Sequence, residues 1–179
     1  SEVLGTLNRV SDSYLEIAKK LAEEGLNRYG WEAKTDDNFD ALVSRNIVLQ
    51  FVAKYSWQNK REIAIELFKN NSVMPPSYRT VVYQILLKTG NKQDYQKMRK
   101  LFDNFKDNAL KKEILTTIGA TADQKSKLDI LDWSTSGKIK MQDFFYPVAS
   151  LAGQNSENRL FVWNYFKTNF VKIFKLVET

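Results

Sequence analysis

The 179-residue sequence contains neither cysteine nor histidine. Protein zinc sites almost always include a nitrogen or sulfur ligand, so a conventional zinc site is excluded. Ser-His-Asp and Cys-His nucleophile arrangements are excluded as well, because each needs an imidazole. Paired carboxylates or a single lysine can still exchange protons, but with 21 acidic residues some pairs arise by chance on helix surfaces. We therefore predict no catalytic residue, no metal ligand and no cofactor within this chain.

Glycine and proline are also scarce, at seven and three residues, and no Asn-Gly or Asp-Gly pair marks a β-hairpin turn. No apolar run approaches the roughly 18 to 20 residues that a membrane-spanning helix needs. The first residues, Ser1 to Leu4, include neither an initiator methionine nor the start of a signal peptide. The sequence therefore predicts long helices, no membrane segment and a piece cut from a longer protein. The missing cysteines favour a reducing, cytoplasmic compartment, and a lumenal or cell-surface location is the alternative.

Helical periodicity runs along almost the whole chain. Apolar residues recur at three- and four-residue spacing from Tyr14 to Ala22, with charged residues on the opposite face. Ser11 or Asp12 is the expected N-cap of this helix, and Gly30 is its expected stop signal. Later helices are expected from about Asp37 and over residues 57–70, 76–89, 92–105, 108–118, 122–133, 141–151 and 156–175. Proline inside a helix removes a hydrogen bond, so Pro147 is expected to kink or break the helix at 141–151.

A weak internal repeat is the second feature of the sequence. Segments beginning at Ala41, Ser77, Leu110 and Met141 each contain an apolar helix, a short polar turn and a second helix that closes on a bulky pair. These starts are 36, 33 and 31 residues apart, within the range of helical-repeat units. One such hairpin cannot bury its apolar face alone, so neighbouring hairpins must stack.

We therefore predict a single all-α domain over residues 1–179, in which stacked antiparallel helical hairpins form a curved HEAT/armadillo-like solenoid. The hairpins are expected at about 38–70, 76–105, 108–133 and 141–175. The alternative is an irregular helical bundle in which the repeat spacing is coincidental.

Five short stretches follow one another in order along the chain. They are Gly30-Trp31-Glu32, Asp40 to Arg45, Met74 to Tyr83, Lys112 to Leu115 with Ile118 to Ala120, and Ile139 to Asp143 followed by Trp163 to Phe166. The third reads MPPSYRTVVY and is similar to a PP-x-x-R-x-x-V-Y segment. In order and spacing, the set resembles the C-terminal helical domain of zinc aminopeptidases of the puromycin-sensitive, thermolysin-like (HExxH) family. No single stretch is specific, but the ordered set is.

The resemblance implies that the chain is the C-terminal domain of a larger zinc aminopeptidase. In such enzymes an upstream catalytic domain carries the HExxH motif and the zinc, and a zinc-bound water attacks the first peptide carbonyl. The implied partners of this chain are that catalytic domain and peptide substrates. Its implied role is to close over the catalytic domain, enclose the peptide chamber and limit access by substrate length.

Three cations are candidate peptide-binding residues: Lys140, Arg79 and Arg45. Lys140 is expected near the N-terminal end of the 141–151 helix, where it can meet a peptide carboxylate. The alternative is a solvated loop lysine. Arg45 and Arg79 lie early in the first helix of a hairpin, where each is either a peptide contact or a buried structural arginine that binds loop carbonyls.

Other prominent side chains are expected to be structural. Gln142 and Asp143 are predicted to cap a helix or to form hydrogen bonds between helices. The four tryptophans, Trp31, Trp57, Trp133 and Trp163, are predicted to pack between repeats rather than to serve as ligand platforms.

Two other classes of protein share parts of these patterns. Residues 88–112 hold eight basic side chains interleaved with aromatic residues, as nucleic-acid-binding surfaces do. Acidic residues such as Asp94 and Asp103 are mixed among them, which favours a solvated face, and we predict no nucleic-acid partner. A HEAT/armadillo-type scaffold that presents its concave surface to another protein remains the alternative function.

Overall fold

The computed structural model describes residues 2–69 and 74–177, with side chains for 12–69, 74–75 and 78–175. Within these ranges it contains nine α-helices: α1 (Glu2–Tyr29), α2 (Phe39–Tyr55), α3 (Arg61–Lys69), α4 (Pro76–Thr89), α5 (Lys92–Asn104), α6 (Asn108–Thr117), α7 (Gln124–Ser134), α8 (Phe145–Ala152) and α9 (Ser156–Val177). Two 3₁₀ turns, Ile118–Ala120 and Met141–Asp143, follow α6 and precede α8. No strand occurs in these ranges, and the predicted all-α class is confirmed. Residue 1, residues 178–179 and the predicted end of the first hairpin at residue 70 lie outside the described residues.

The helices form two layers. Helices α2, α4, α6 and α8 pack side by side in that order and make up the first layer. The second layer holds the partner helices: α3 packs on α4, α5 on α4 and α6, α7 on α8, and α9 on α8. Helix α1 lies along α2 at the start of the stack. This arrangement is the solenoid-like stack of hairpins that the sequence predicts.

Side-chain contacts between neighbouring hairpins join residues about one repeat apart. The pairs include Arg79–Glu113, Tyr95–Asp129, Asp132–Tyr165 and Lys127–Asn158, which are separated by 34, 34, 33 and 31 residues. In a stack of similar units, equivalent positions of successive units lie opposite each other. The contact spacing therefore matches the sequence repeat, and this regularity distinguishes the fold from an irregular bundle.

Helix α1 starts earlier than predicted. It begins at Glu2, so the prediction that Ser11 or Asp12 caps its start is wrong, because both residues lie inside the helix. No proline interrupts this part of the sequence, and a helix continues until something stops it. The predicted stop is confirmed: Gly30 has φ +70°, which suits glycine, and its N–H donates to the Leu26 carbonyl at 2.8 Å.

Short polar side chains set the starts of several later helices. Asn38 accepts the Ala41 N–H at 2.9 Å before α2, and Asn91 forms a capping box with Asp94 at the start of α5. Helix α4 instead begins at the Pro75-Pro76 pair, as predicted, because proline in a first turn loses no hydrogen bond.

The predicted helix over 141–151 is wrong in its first half. Residues Met141–Asp143 form a 3₁₀ turn, and α8 begins only at Phe145. Pro147 thereby falls in the first turn of α8, where its missing N–H has no helical acceptor to lose. The expected break is present, but it precedes the proline rather than occurring at it.

The ends of α6 and α8 approach each other closely at Gly119. A methyl group built at this position would overlap the backbone of Ser150 and Leu151, and the Gly119 N–H donates to Ser150 Oγ at 3.1 Å. The absence of a side chain at Gly119 therefore allows the third and fourth hairpins to pack backbone to backbone.

Three of the four tryptophans pack as predicted. Trp133 is buried edge-on against Phe102, with ring centroids 4.9 Å apart, and Trp31 and Trp57 pack against the same core. Trp163 is 60% exposed, so the prediction that it packs between repeats is wrong. Near Trp163 the buried positions of α9 belong to Val162 and Tyr165. One residue along a helix turns a side chain about 100° away from its neighbour.

Candidate functional site

Arg79 is buried in a two-point ion pair between the first-layer helices α4 and α6. Its Nε lies 2.7 Å from Glu113 Oε2 and its Nη2 lies 2.8 Å from Glu113 Oε1. Its Nη1 donates to the Met74 carbonyl, just before α4. The hydrogen bonds from Glu113 raise the pKa of Arg79 above its ordinary value. Arg79 therefore holds two hairpins and a loop together, as expected for a structural arginine, and peptide binding by Arg79 stays a prediction.

Arg45 occupies a similar position one hairpin earlier. It is 1% exposed, its Nε donates to the Tyr29 carbonyl at the end of α1 at 2.8 Å, and its Nη2 lies 2.6 Å from Asp37 Oδ2. Burial disfavours the charged form, but hydrogen bonds with Asp37 and with Tyr78 outweigh it and raise the pKa of Arg45. Arg45 thus binds a backbone carbonyl at the end of α1 and an acid in the α1–α2 connection. These are the contacts expected of a buried structural arginine.

Lys140 is exposed, unlike the two arginines. Its Nζ donates to Asn108 Oδ1 at the start of α6, at 2.9 Å, and forms no ion pair among the described residues. It precedes the 3₁₀ turn rather than the α-helix that the sequence predicts, so support from a full helix dipole is absent. Its charge is therefore available to a ligand, and peptide binding by Lys140 stays a prediction.

Gln142 and Asp143 lie in the 3₁₀ turn between Lys140 and α8. The Asp143 N–H donates to the Lys140 carbonyl at 2.8 Å, which closes the turn. The residue before α8 is Phe144, and no side chain caps that helix start. The predicted capping by Gln142 or Asp143 is therefore not seen at α8, because the turn places both residues ahead of the helix.

The structure places Arg45 and Arg79 in neighbouring hairpins but does not gather the three candidates into one site. Arg45 interacts with Tyr78, the residue before Arg79, whereas Lys140 contacts α6 at Asn108. The sequence does not identify Asp37 and Glu113 as the acids that pair with these arginines. The repeat spacing points to Glu113, since it lies 34 residues after Arg79.

Two of the sequence stretches meet around an apolar cavity of about 310 Å³. Trp31 and Glu32 line one side of it, and Met74, Pro75 and Tyr78 line another. These stretches are 43 residues apart in sequence (31 to 74) but adjacent in the fold. Their side chains therefore shape the connection between α1, α2 and α4.

No cluster of three or more carboxylate, imidazole or thiol side chains that fits a metal ion occurs in the described part of the chain. A chain without histidine and cysteine offers only oxygen ligands, which do not suit zinc. Among the same residues, no helix combines the length and the apolar character needed to span a membrane.

Comparison with known proteins gives consistent matches. A model of the ERAP1-like C-terminal domain family matches residues 2–179. The chain is 25% identical over 145 residues to the alanine/arginine aminopeptidase of Saccharomyces cerevisiae, covering 77% of this chain and 17% of that protein. It is 23% identical over 149 residues to aminopeptidase M1 of Arabidopsis thaliana, covering 78% and 17%. It is 22% identical over 171 residues to the mitochondrial aminopeptidase 2 of S. cerevisiae, covering 92% and 18%. The chain spans less than a fifth of the length of these relatives.

The stack of helical hairpins and the match over residues 2–179 define the class of the chain as an ERAP1-like C-terminal domain, and these three relatives are named as aminopeptidases. The chain belongs to the ERAP1-like C-terminal domain family, whose model covers nearly all of it. The family relationship implied by the five sequence stretches is confirmed.

Proposed function

We propose that this domain closes over the zinc-dependent catalytic domain of an aminopeptidase, encloses the peptide chamber and limits access by substrate length. The family match over residues 2–179, on a two-layer stack of hairpins, is the observation that carries the proposal. A stack of this kind presents an extended surface that is suited to forming a wall.

The wall needs rigidity, and the buried ion pairs support it. Arg79–Glu113 ties α4 to α6, and Arg45 ties the end of α1 to α2 through the Tyr29 carbonyl and Asp37. Removing one partner of such a pair leaves an uncompensated buried charge, so each pair resists separation of the elements it joins. These arginines act in the wall itself rather than on the peptide.

Lys140 is the residue that we propose for direct contact with a peptide. Its ammonium group is exposed and shares one hydrogen bond with a neutral amide. A substrate carboxylate would gain a charge-assisted hydrogen bond there, of a kind about twice as strong as a neutral one. Lys140 would thus favour peptides long enough to reach it.

The chemistry of peptide cleavage is assigned to the zinc of the upstream domain. This chain contributes no imidazole or thiol for a zinc site. The partners that we propose for this domain are the catalytic domain and the peptide. We propose no nucleic-acid partner. The absence of cysteine supports a cytoplasmic location, which cell fractionation with an antibody to this domain would test.

We propose that this domain has no active site of its own, and the 179-residue chain can be used to test this. We expect no hydrolysis of aminoacyl-amide reporters, either with or without added zinc. Zinc-dependent turnover that survives rigorous purification would overturn the proposal that the domain does not catalyse. The scaffold alternative is tested by the coding sequence upstream: an HExxH motif some hundreds of codons earlier supports the aminopeptidase, whereas further helical repeats without that motif favour the scaffold.

A further inference from the structure

A polar cavity of about 240 Å³ lies among the turns of four successive hairpins. We call it the turn cavity. Its lining comes from the end of α2, the end of α4, the turn before α7 and the turn before α9. The residues are Lys54, Trp57, Lys88, Ala120, Thr121, Ala122, Lys127, Gln154, Asn155 and Asn158. Lys140, Arg45 and Arg79 are not among them, so the cavity is separate from the residues discussed above.

Three lysines from three different helices line this cavity. Lys127 is 7% exposed, and its Nζ donates to Asn158 Oδ1 at 3.0 Å. Lys88 is partly buried; its Nζ donates to the Ala53 carbonyl at 2.7 Å and lies 5.8 Å from the centre of the Trp57 ring. Lys54 is exposed beside the cavity, with its Nζ 5.0 Å from the centre of the Tyr55 ring. All three amine groups are held by neutral neighbours.

No carboxylate among the described side chains balances this charge. The lining contains no aspartate or glutamate, and none of the three lysines forms an ion pair within the described part of the chain. Buried charges in proteins are normally paired, because removing an ammonium group from water is costly unless an acid compensates it. The other buried cations here obey this rule: Arg45 and Arg79 each have an acid.

Helix capping explains only part of the arrangement. Lys88 donates to a carbonyl in the last turn of α2, which is a structural role for one of its hydrogen atoms. An ammonium group has three donors, and Lys88 and Lys127 each use one on a described acceptor. Capping also gives no reason for three lysines to line one cavity without an acid.

We propose that the turn cavity binds a phosphate-type dianion, held by the amine groups of Lys54, Lys88 and Lys127. A single carboxylate would leave two of the three charges uncompensated, whereas a dianion leaves one. Lysine is a common point-charge ligand for phosphate, and the lining supplies three lysines and no acid. The hydroxyl of Thr121 and the amides of Asn155 and Asn158 add neutral polar groups around the anion.

The titration of Lys88 is consistent with this site. Burial, with a smaller contribution from the nearby Lys54, lowers the pKa of Lys88 to about 8. The charge on Lys54 therefore disfavours the charge on Lys88, and a bound anion would relieve that repulsion. The proposal does not depend on the aminopeptidase role and stands or falls separately from it.

The test is a calorimetric titration of the 179-residue chain with inorganic phosphate at fixed ionic strength. Lys54→Gln and Lys88→Gln are each expected to weaken binding at least about fivefold, as loss of a charge-assisted hydrogen bond does. Lys125→Gln, an exposed α7 lysine outside the cavity, removes the same charge and is expected to leave binding unchanged. Because Lys54 is exposed, its variant is expected to fold, and thermal unfolding of every variant checks this.

Two further ligands identify the source of the phosphate group. A phosphoserine peptide that binds more tightly than inorganic phosphate, with the same sensitivity to Lys54→Gln, supports the proposal with a phosphate ester as the natural ligand. The same peptide without phosphate, bearing a free C-terminal carboxylate, is expected not to bind. Binding of the carboxylate peptide alone, equal weakening by Lys125→Gln, or no binding of either phosphate ligand would overturn the proposal.

Discussion

Arg79 on α4 and Glu113 on α6 form a two-point ion pair, with donor–acceptor distances of 2.7 and 2.8 Å. The two side chains are 10% and 13% exposed, so the pair is largely removed from water. It joins consecutive first-layer helices at positions one repeat apart. The stack therefore depends on a specific polar contact as well as on apolar packing.

Truncation of Glu113 is expected to destabilise the domain strongly. Glu113→Ala leaves the Arg79 guanidinium buried without an acid, which costs about 3 to 5 kcal/mol in free energy of unfolding. Urea unfolding followed by circular dichroism measures this loss. Glu66→Ala, at an exposed acid on α3, is the control and is expected to change stability by about 0.5 kcal/mol or less. Similar losses in the two variants would contradict a structural role for the pair.

Gly119 offers a second test of how the hairpins pack. Gly119→Ala puts a methyl group into the backbone of Ser150 and Leu151, and we expect a loss of about 1 to 3 kcal/mol in free energy of unfolding. Gly153→Ala is the matched control, because its added methyl group would meet only the carbonyl oxygens of Ala149 and Ser150 within 4 Å, the nearer at 3.1 Å. Denaturant midpoints of the two variants give the comparison. An equally stable Gly119→Ala variant would show that the third and fourth hairpins are not packed as described.

The sequence was sufficient for most helix positions. The helix predicted at 76–89 is α4 at Pro76–Thr89, because a proline pair and a glycine mark its two ends. The start of α1 was missed because apolar periodicity is weak before Tyr14, yet no residue there stops a helix. The 3₁₀ turn at Met141–Asp143 was missed because its apolar spacing also suits an α-helix.

The site residues were harder to predict, since charge alone does not show which residue pairs with which. Arg79 and Lys140 look alike in sequence as cations near helix starts, but only Arg79 has an acid one repeat later in the right register. The sequence does not mark Lys127 as a site residue, because its partner, Asn158, is an amide on another helix. The turn cavity forms only when residues from four hairpins are brought together.

Asp94 gives the domain an expected dependence of stability on pH. It pairs with Arg61 at 2.8 Å and accepts the Asn91 N–H at 3.2 Å. Burial works against the carboxylate, but the hydrogen bonds from Arg61 and Asn91 outweigh it, and the pKa of Asp94 lies below its ordinary value of 3.8. The unfolded chain therefore binds the proton first, so this stabilisation is present above the unfolded pKa and is lost as the pH falls through the folded pKa.

Urea unfolding at a series of pH values measures this effect. We expect the free energy of unfolding to fall between about pH 5 and pH 3, and to fall less steeply in Asp94→Asn. Asp103→Asn, an exposed position on the same helix, serves as the control and should keep the original slope. Identical slopes in all three proteins would rule out a contribution from Asp94.

Lys140 is tested in the full-length enzyme that contains this domain. If its ammonium group binds peptide carboxylates, Lys140→Ala should raise KM for longer peptides, because only they reach it, and leave KM for aminoacyl reporters unchanged. Lys138→Ala removes an exposed lysine two residues away and is the matched control. An equal effect of Lys140→Ala on peptides and reporters would end this assignment.

We propose that this stack of hairpins limits which substrates reach the zinc. The most direct measurement is kcat/KM for a series of peptides of increasing length, with the full-length enzyme and with a form that lacks residues 2–179 but retains zinc and reporter activity. We predict that kcat/KM falls steeply with peptide length only when the domain is present. The same length profile with and without the domain would contradict the account.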